Sequence, residues 1–307
     1  MANNLSYRLM KYKYVVLLKY SHQVQIMDTF KTILPKDKNL LKWIAYYYFH
    51  ESKDENFSKD IIYHPHYLVA LNVYKNVSIQ FNKNGRTYVP VKHDLKEIIL
   101  TINNRTSKQV RLRGAFNKIG VVFHPLGINH FINKPLNRIV TNNRVSSFEY
   151  FGEDFLNTSN LVFSESSLES KGKLLDTYFK THFKKFEDDR VMKAIDIILN
   201  SSEIPKVQEL ANNLLISRKT LLRLFKMHLC FSVEEFKSVV KFRKALKFYE
   251  EAINKPTLTQ VAHDNQYYDQ SEFINHFKSI TSFNPKKFFS SINNISINGT
   301  YWTFKED

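Results

Sequence analysis

The last third of the chain repeats itself. Leu210-Ala211 recurs as Val261-Ala262 and Ile216 as Tyr267, at an offset of 51 residues. Past one inserted residue the offset is 52, and Leu221, Phe225, Lys226, Ser232 and Phe236 recur as Phe273, Phe277, Lys278, Asn284 and Phe288. The retained positions are mainly apolar, so the two copies are two versions of one supersecondary unit, each needing neighbours to cover its apolar face. A long helical pattern, Val233 to Asn254, joins them. Each copy reads as a helix-turn-helix, a short helix followed after three or four residues by a second.

In the first unit the leading helix runs from Lys206 to Asn213, after the breaker Pro205, and Ser217 is a natural N-cap for a second helix from Arg218 to Leu229. Leu221, Leu224, Phe225 and His228 fall on one face and are expected to pack inward, whereas Arg218, Lys219, Leu222, Arg223 and Lys226 fall on the other. That outer face carries four cations and no acid. Such a helix suits a B-DNA major groove, arginine pairing with guanine edges and lysines meeting phosphates. A solvated basic face is the competing reading, and Leu222 is either a thymine-methyl contact or a packing residue. In the second unit Asp269 caps a helix from Gln270 to Ile280, with Glu272 three residues on as a capping-box partner rather than a base contact. Phe273, Phe277 and Ile280 face inward; Gln270, Ser271, Asn275 and Lys278 face outward. Glutamine and asparagine can pair with adenine edges, but ordinary surface polarity explains them equally well, so the first helix is the stronger candidate reader.

Before residue 165 the grammar differs. Short runs rich in aromatic and β-branched residues, such as Leu41 to Phe49, Tyr67 to Tyr74, Leu95 to Ile102 and Ile119 to Phe123, alternate with breaks such as Asn84-Gly85 and Asn103-Asn104. These are expected strands, although periodicity alone leaves Lys42 to Phe49 open between strand and buried helix. Leu174, Leu175, Tyr178, Phe179 and Phe183 form a helical stripe, as do Val191, Ala194, Ile195 and Ile198. The Ser-, Glu- and Lys-rich stretch Asn160 to Lys173 reads as a linker.

The segments VQELANNLLISRKTLLRLFK, FSVEEFKSVVKFRKAL and LTQVAHDNQYYDQSEFINHFKSITSFNPKKFF resemble the DNA-binding domain of AraC/XylS-type bacterial regulators. Arg243 and Ala245 match the family's arginine and alanine in the linker helix, and Pro285 matches its late proline. The resemblance implies that both second helices enter successive major grooves of one duplex. Leu215, Cys230, Gln266 and Ser282 stand where the family usually has glycine, so altered turns or reduced stability are expected there. Upstream, RLRGAFNKIGVVFHPLGINHFI and SFEYFGEDF resemble a β-rich N-terminal domain of a family subset, which in relatives binds an effector or mediates dimerisation; which applies here is open.

The expected architecture is therefore multidomain α+β. A β-rich, barrel-like regulatory or dimerisation domain covers 1–160, a linker and connector helix 161–186, an all-α DNA-binding domain with two helix-turn-helix units 187–292, and a tail 293–307. The expected function is a sequence-specific transcription regulator in the cytoplasm, acting on double-stranded DNA, with RNA polymerase and a second copy of the chain as further partners and a small-molecule effector left open. Net charge is a weaker argument than arrangement: of the surplus of +16, residues 1–185 hold 28 Lys and Arg against 14 Asp and Glu, whereas residues 186–292 hold 16 against 13. Lysines such as Lys36, Lys38, Lys53, Lys59, Lys75, Lys83 and Lys108 are scattered through turn-like segments, and a solvated surface is the expectation for them.

The alternatives are a metal-dependent or small-molecule-processing barrel with a helical interaction domain, and a helical repeat that binds protein. His64, His66, His124 and His130 hint at a barrel metal site, but no carboxylate follows His66 at cupin spacing, so no metal or other cofactor is expected. None of the seven glycines forms a phosphate loop, and no nucleophile elbow or paired-carboxylate motif points to an enzyme. The lone Cys230 reads as a small core residue. The apolar run Val15 to Leu18, flanked by Lys13 and Lys19, is too short for a secretory signal, and no run is long enough for a membrane helix.

Overall fold

The computed structural model describes residues 28–82, 85–102, 106–140, 145–294 and 301–304; the run Val15 to Leu18, Lys83, Asn84 and the Asn103-Asn104 break lie outside them. The N-terminal part holds β1 (Thr29–Ile33), β2 (Ile44–Ser52), β3 (Ser58–Tyr63), β4 (Val69–Lys75), β5 (Val77–Asn82), β6 (Gly85–Pro90), β7 (Lys96–Ile102), β8 (Lys108–Arg113), β9 (Phe116–Phe123) and β10 (Val145–Ser147). Helices follow: α1 (Gly152–Ser164), α2 (Leu168–Thr181), α3 (Asp189–Asn200), α4 (Val207–Asn213), α5 (Arg218–Leu229), α6 (Val233–Glu251), α7 (Leu258–Asp264), α8 (Gln270–Thr281) and α9 (Pro285–Ser291). The chain then returns to strand as β11 (Ile292–Asn294) and β12 (Tyr301–Phe304).

One sheet has the order β1-β2-β9-β4-β7-β10 and the other β11-β12-β3-β8-β6-β5, in which β6 and β8 run parallel. The sheets face each other without closing, so the expected β-rich domain is built of two open sheets. Phe57, Ile61, Tyr74, Tyr88, Val110, Leu112 and Phe116 share the core between them. The outer face of the first sheet is also covered: Tyr47, Phe49, Val121 and Phe123 lie in one core with Phe155, Val162, Leu175 and Phe179 of α1 and α2. Burial on both faces explains why β2 is a nearly continuous apolar run and why its periodicity was ambiguous between strand and helix. The stretch 160–173, expected as a linker, lies instead in the end of α1 and the start of α2, broken at Glu165–Ser167, where Ser167 accepts from the Ser170 N–H. Its Ser and Glu side chains are compatible with exposed helix faces as well as with a linker. Asp176 on α2 is buried and accepts the Tyr47 hydroxyl (2.9 Å) and the Lys36 N–H (2.8 Å), tying helix to sheet.

The sequence repeat is also a backbone repeat. The turns after α4 and α7 close with the same bond, Ile216 N–H to the Ala211 carbonyl (3.1 Å) and Tyr267 N–H to the Ala262 carbonyl (3.0 Å). Leu215 and Gln266 stand at φ 53° and 62°, Cys230 and Ser282 at 59° and 64°. The four positions lacking the expected glycine thus keep the left-handed turns and carry their strain. Leu210, Leu221, Phe225 and Phe236, and their counterparts Val261, Phe273, Phe277 and Phe288, are all fully buried. The two cores are separate: the first unit continues the core of α1, α2 and the first sheet, while the second has its own around Phe242, Phe273 and Phe277.

Candidate nucleic-acid interface

α5 starts at the residue the sequence indicates because the Ser217 hydroxyl accepts the Thr220 N–H (3.0 Å). Leu221, Leu224 and Phe225 seat the helix, and Arg218, Lys219, Leu222 and Arg223 are exposed. Lys226 differs: it is half-buried, and its ammonium lies 3.4 Å from Glu235, whose carboxylate also accepts the Ser232 N–H in the capping box of α6. The outer face thus presents three unpaired cations and one already partly neutralised. Arg218, Lys219 and Arg223 make no ion pair with any described residue, and Arg223 Nη1 rests 3.7 Å from the Met227 sulfur.

On α8 the Asp269 carboxylate accepts the Glu272 N–H (2.7 Å). The capping box is offset from its expected form, because Glu272 accepts the Tyr268 N–H (2.6 Å) instead of that of Asp269, and it also pairs with Lys241 (3.3 Å). Phe273, Phe277 and Ile280 are buried, while Gln270, Ser271, Asn275 and Lys278 are exposed. Gln270 Oε1 accepts the Thr259 hydroxyl (2.8 Å), so the acceptor half of its amide is engaged. Below this face Tyr267 and His276 bond to one another (2.8 Å), and burial lowers the His276 pKa to about 4, so the support is neutral near pH 7.

Other features of this surface lie outside the expected contact residues. Tyr268, 94% exposed, stands immediately before the α8 cap, and Leu215, equally exposed, at the tip of the α4–α5 turn. The α3–α4 loop is clamped by the second unit, Gln266 Oε1 accepting the Ile204 N–H (3.0 Å), Gln266 Nε2 donating to the Ser202 carbonyl and Lys244 donating to the Ser201 carbonyl (2.8 Å). Behind α5 stands the N-terminal part: α5 packs on the turn Leu136–Arg138, and Asn129 Nδ2 donates to the His228 carbonyl (3.0 Å). Cys230 is half-buried as the left-handed cap of α5, at the edge of the core rather than in it.

The histidines weighed as metal ligands have other surroundings. His64 bonds Ser107 Oγ (2.7 Å), His66 accepts the Leu68 N–H (3.1 Å), and His130 stacks on Trp43 with centroids 3.6 Å apart. Among the described residues no three His, Cys, Asp or Glu side chains group as a metal site, and no helix is long and apolar enough to cross a membrane.

No family model and no curated protein matches the chain. Solved structures are similar to it. A transcriptional regulator from Chromobacterium violaceum, described as an AraC-type DNA-binding domain-containing protein, aligns with 34% of this chain and 91% of its own at 15% identity and a TM-score of 0.30. ToxT from Vibrio cholerae aligns with 86% of this chain and 97% of its own at 11% identity and a TM-score of 0.40. ToxT of strain SCE256, bound to an unsaturated fatty acid, covers 78% of this chain and 96% of its own at 10% identity, again with a TM-score of 0.40.

Proposed function

We propose that the chain is a sequence-specific DNA-binding transcription regulator that lays α5 and α8 into successive major grooves of one duplex. The observation that carries the reading is the outer face of α5. Arg218, Lys219 and Arg223 are exposed and unpaired among the described residues on a helix without acids, and its opposite face is sealed in the core. Arg223 is the residue assigned to a guanine edge, Arg218, Lys219 and Lys226 to phosphates, and Leu222 to a thymine methyl group. On α8, Gln270 and Asn275 are assigned to base edges and Ser271 and Lys278 to the backbone; Gln270 must release Thr259 before its amide can bind adenine at both atoms. The residue ranges 1–160, 161–186, 187–292 and 293–307 serve as regulatory part, connector, reader and tail. Such a regulator works in the cytoplasm, with RNA polymerase and a second copy of the chain as protein partners and no chemistry of its own.

The test is operator selection from random duplexes followed by footprinting. Protection of two groove segments about 10 base pairs apart on one face is expected, and Arg223→Ala is expected to cost about 1–3 kcal/mol of operator affinity with an unchanged circular dichroism spectrum. A folded Arg223→Ala protein with undiminished affinity removes Arg223 from the contact set, and protection of a single segment makes the second unit structural.

A further inference from the structure

The chain between α2 and α3 is pinned to the turn Gly127–Phe131. The Lys184 N–H donates to the His130 carbonyl (2.6 Å), and the Phe186 N–H donates to His130 Nδ1 (3.3 Å). Beside this joint lies a cavity of about 410 Å³. None of its lining residues belongs to the core between the two sheets; they come from the turn Leu40–Lys42 and Trp43, from His130, from the end of α2 and from α3. The apolar walls are Leu40, Trp43, Phe183, Phe186 and Met192. Three of the five are aromatic, which favours a flat partner, and the methionine adapts to its outline. The volume is that of a small-molecule site.

His130 gives the cavity its polar requirement. The ring is 1% exposed and stacked between Trp43, with centres 3.6 Å apart, and Phe183, at 5.3 Å. Both ring faces are therefore covered, and only the edge is left to a ligand. Burial lowers the pKa to about 4, so the ring is neutral near pH 7. Because Nδ1 accepts the Phe186 N–H, the single ring proton sits on Nε2. That Nε2–H is buried and has no hydrogen-bond partner among the described residues. A buried donor left unpaired destabilises the fold that holds it, and a ligand oxygen restores the bond. Phe183, which lies over the ring, is 41% exposed and free to turn aside to admit that oxygen. The charge around the cavity is positive by one unit. Lys180 pairs with Asp37 (3.1 Å) and Lys185 with Glu187, whereas the exposed Lys42 makes no ion pair among the described residues.

We propose that this cavity at the α2–α3 joint binds a flat aromatic monoanion, its ring among Trp43, Phe183 and Phe186, an oxygen on the His130 Nε2–H and its charge met by Lys42. The assignment does not rest on DNA binding, and its test contains no DNA. The full chain is titrated calorimetrically with 2-naphthoate, with its neutral counterpart 2-naphthamide and with the non-planar cyclohexanecarboxylate. The naphthoate should bind saturably at one per chain, and each comparison compound about tenfold or more weakly. Lys42→Met, which removes the cation, and His130→Phe, which keeps a ring but removes the donor, should each weaken naphthoate binding about tenfold. In protein labelled with ¹⁵N-histidine, the Nε2–H signal of His130, assigned by its absence from His130→Phe, should shift on binding. If His130→Phe does not fold, Lys42→Met and the three compounds decide the matter. No saturable binding of the naphthoate, binding no tighter than that of either comparison compound, or binding that either folded variant leaves intact overturns the assignment.

Discussion

Leu215, Cys230, Gln266 and Ser282 hold left-handed backbone with side chains that disfavour it, at φ between 53° and 64°. A non-glycine residue in this region costs about 1–2 kcal/mol, and glycine returns about half of that in unfolded-state entropy. Leu215, 94% exposed, gains nothing from packing in compensation. Leu215→Gly should therefore stabilise the protein by about 0.5–1 kcal/mol, read as a raised urea midpoint at constant slope. Gln266→Gly should gain less, because the Gln266 amide holds the Ile204 N–H and the Ser202 carbonyl. A lowered midpoint for Leu215→Gly would show that the strain lies elsewhere. His130 has a different residue-scale consequence. Buried between Trp43 and Phe183, it has its pKa lowered by burial to about 4. The folded value lies below the unfolded one of about 6.5, so neutral His130 contributes stability above pH 6.5, and that contribution is lost as pH falls from 6.5 towards 4. The loss should be on the order of 3 kcal/mol at most, since about 1.4 kcal/mol attaches to each pH unit. His64, lowered by burial to about 3, adds to the same slope. Urea unfolding at pH 7, 5.5 and 4.5 should show a shallower pH dependence in His130→Phe than in the parent; equal slopes would exclude His130 as a source.

At the scale of elements, α5 and α8 are repeats with different surfaces. α5 offers cations and α8 amides and a hydroxyl, and each is seated by fully buried aromatic or aliphatic residues at matched positions. Lys226 and Lys278 occupy equivalent places, yet Lys226 is partly neutralised by Glu235 while Lys278 is exposed and makes no ion pair among the described residues. Lys226→Ala should therefore cost less operator affinity than Arg223→Ala, within the range of about 1 kcal/mol for a partly exposed pair. A larger loss for Lys226 in a binding titration would mean that DNA displaces Glu235. Asp269→Ala should cost about 1 kcal/mol of stability through the lost cap and weaken binding further by loosening Gln270 and Ser271 at the first turn of α8.

For the whole molecule, the two parts are joined in several places. The buried Arg243 of α6 donates to the Pro65 carbonyl (2.6 Å) and the His64 carbonyl (3.0 Å), the Ser107 N–H reaches the Ile280 carbonyl (3.0 Å) at the end of α8, and β12 pairs with β3. A fragment from Glu187 to Asn293 is expected to fold and bind DNA but to melt below the full chain, because the first unit's core continues into the N-terminal part. Equal melting temperatures would make that shared core dispensable. The basic surplus upstream is dispersed: Lys36 pairs with Glu169 (3.4 Å), Lys59 with Asp28 (3.1 Å), and Lys118 is buried. Full chain and fragment should share one slope of log affinity against log salt per bound protomer, since each phosphate contact steepens it by about 0.9. A full-chain slope steeper by about three or more at equal stoichiometry would place N-terminal lysines on the DNA.

Local patterns were sufficient for the helical third. Apolar spacing and the caps Ser217 and Asp269 set α5 and α8 to within a residue, because helix ends depend on side chains three positions away. The same reasoning placed Arg218, Lys219, Leu222 and Arg223 outward, since one helix face cannot be both core and surface. Tertiary structure alone decided the rest. Whether β2 was strand or helix depended on what covered its two faces, and whether 160–173 was linker or helix depended on the sheet beneath it. Lys226 was pulled from the exposed set by Glu235, nine residues away around a turn, and Arg243 was claimed by carbonyls 178 and 179 residues distant. Lys118 and Arg86 belong to no pattern that the sequence singles out; only strand register and the pairing of the two sheets bury them, because the face a strand residue occupies is set by its partners and not by its neighbours in the chain.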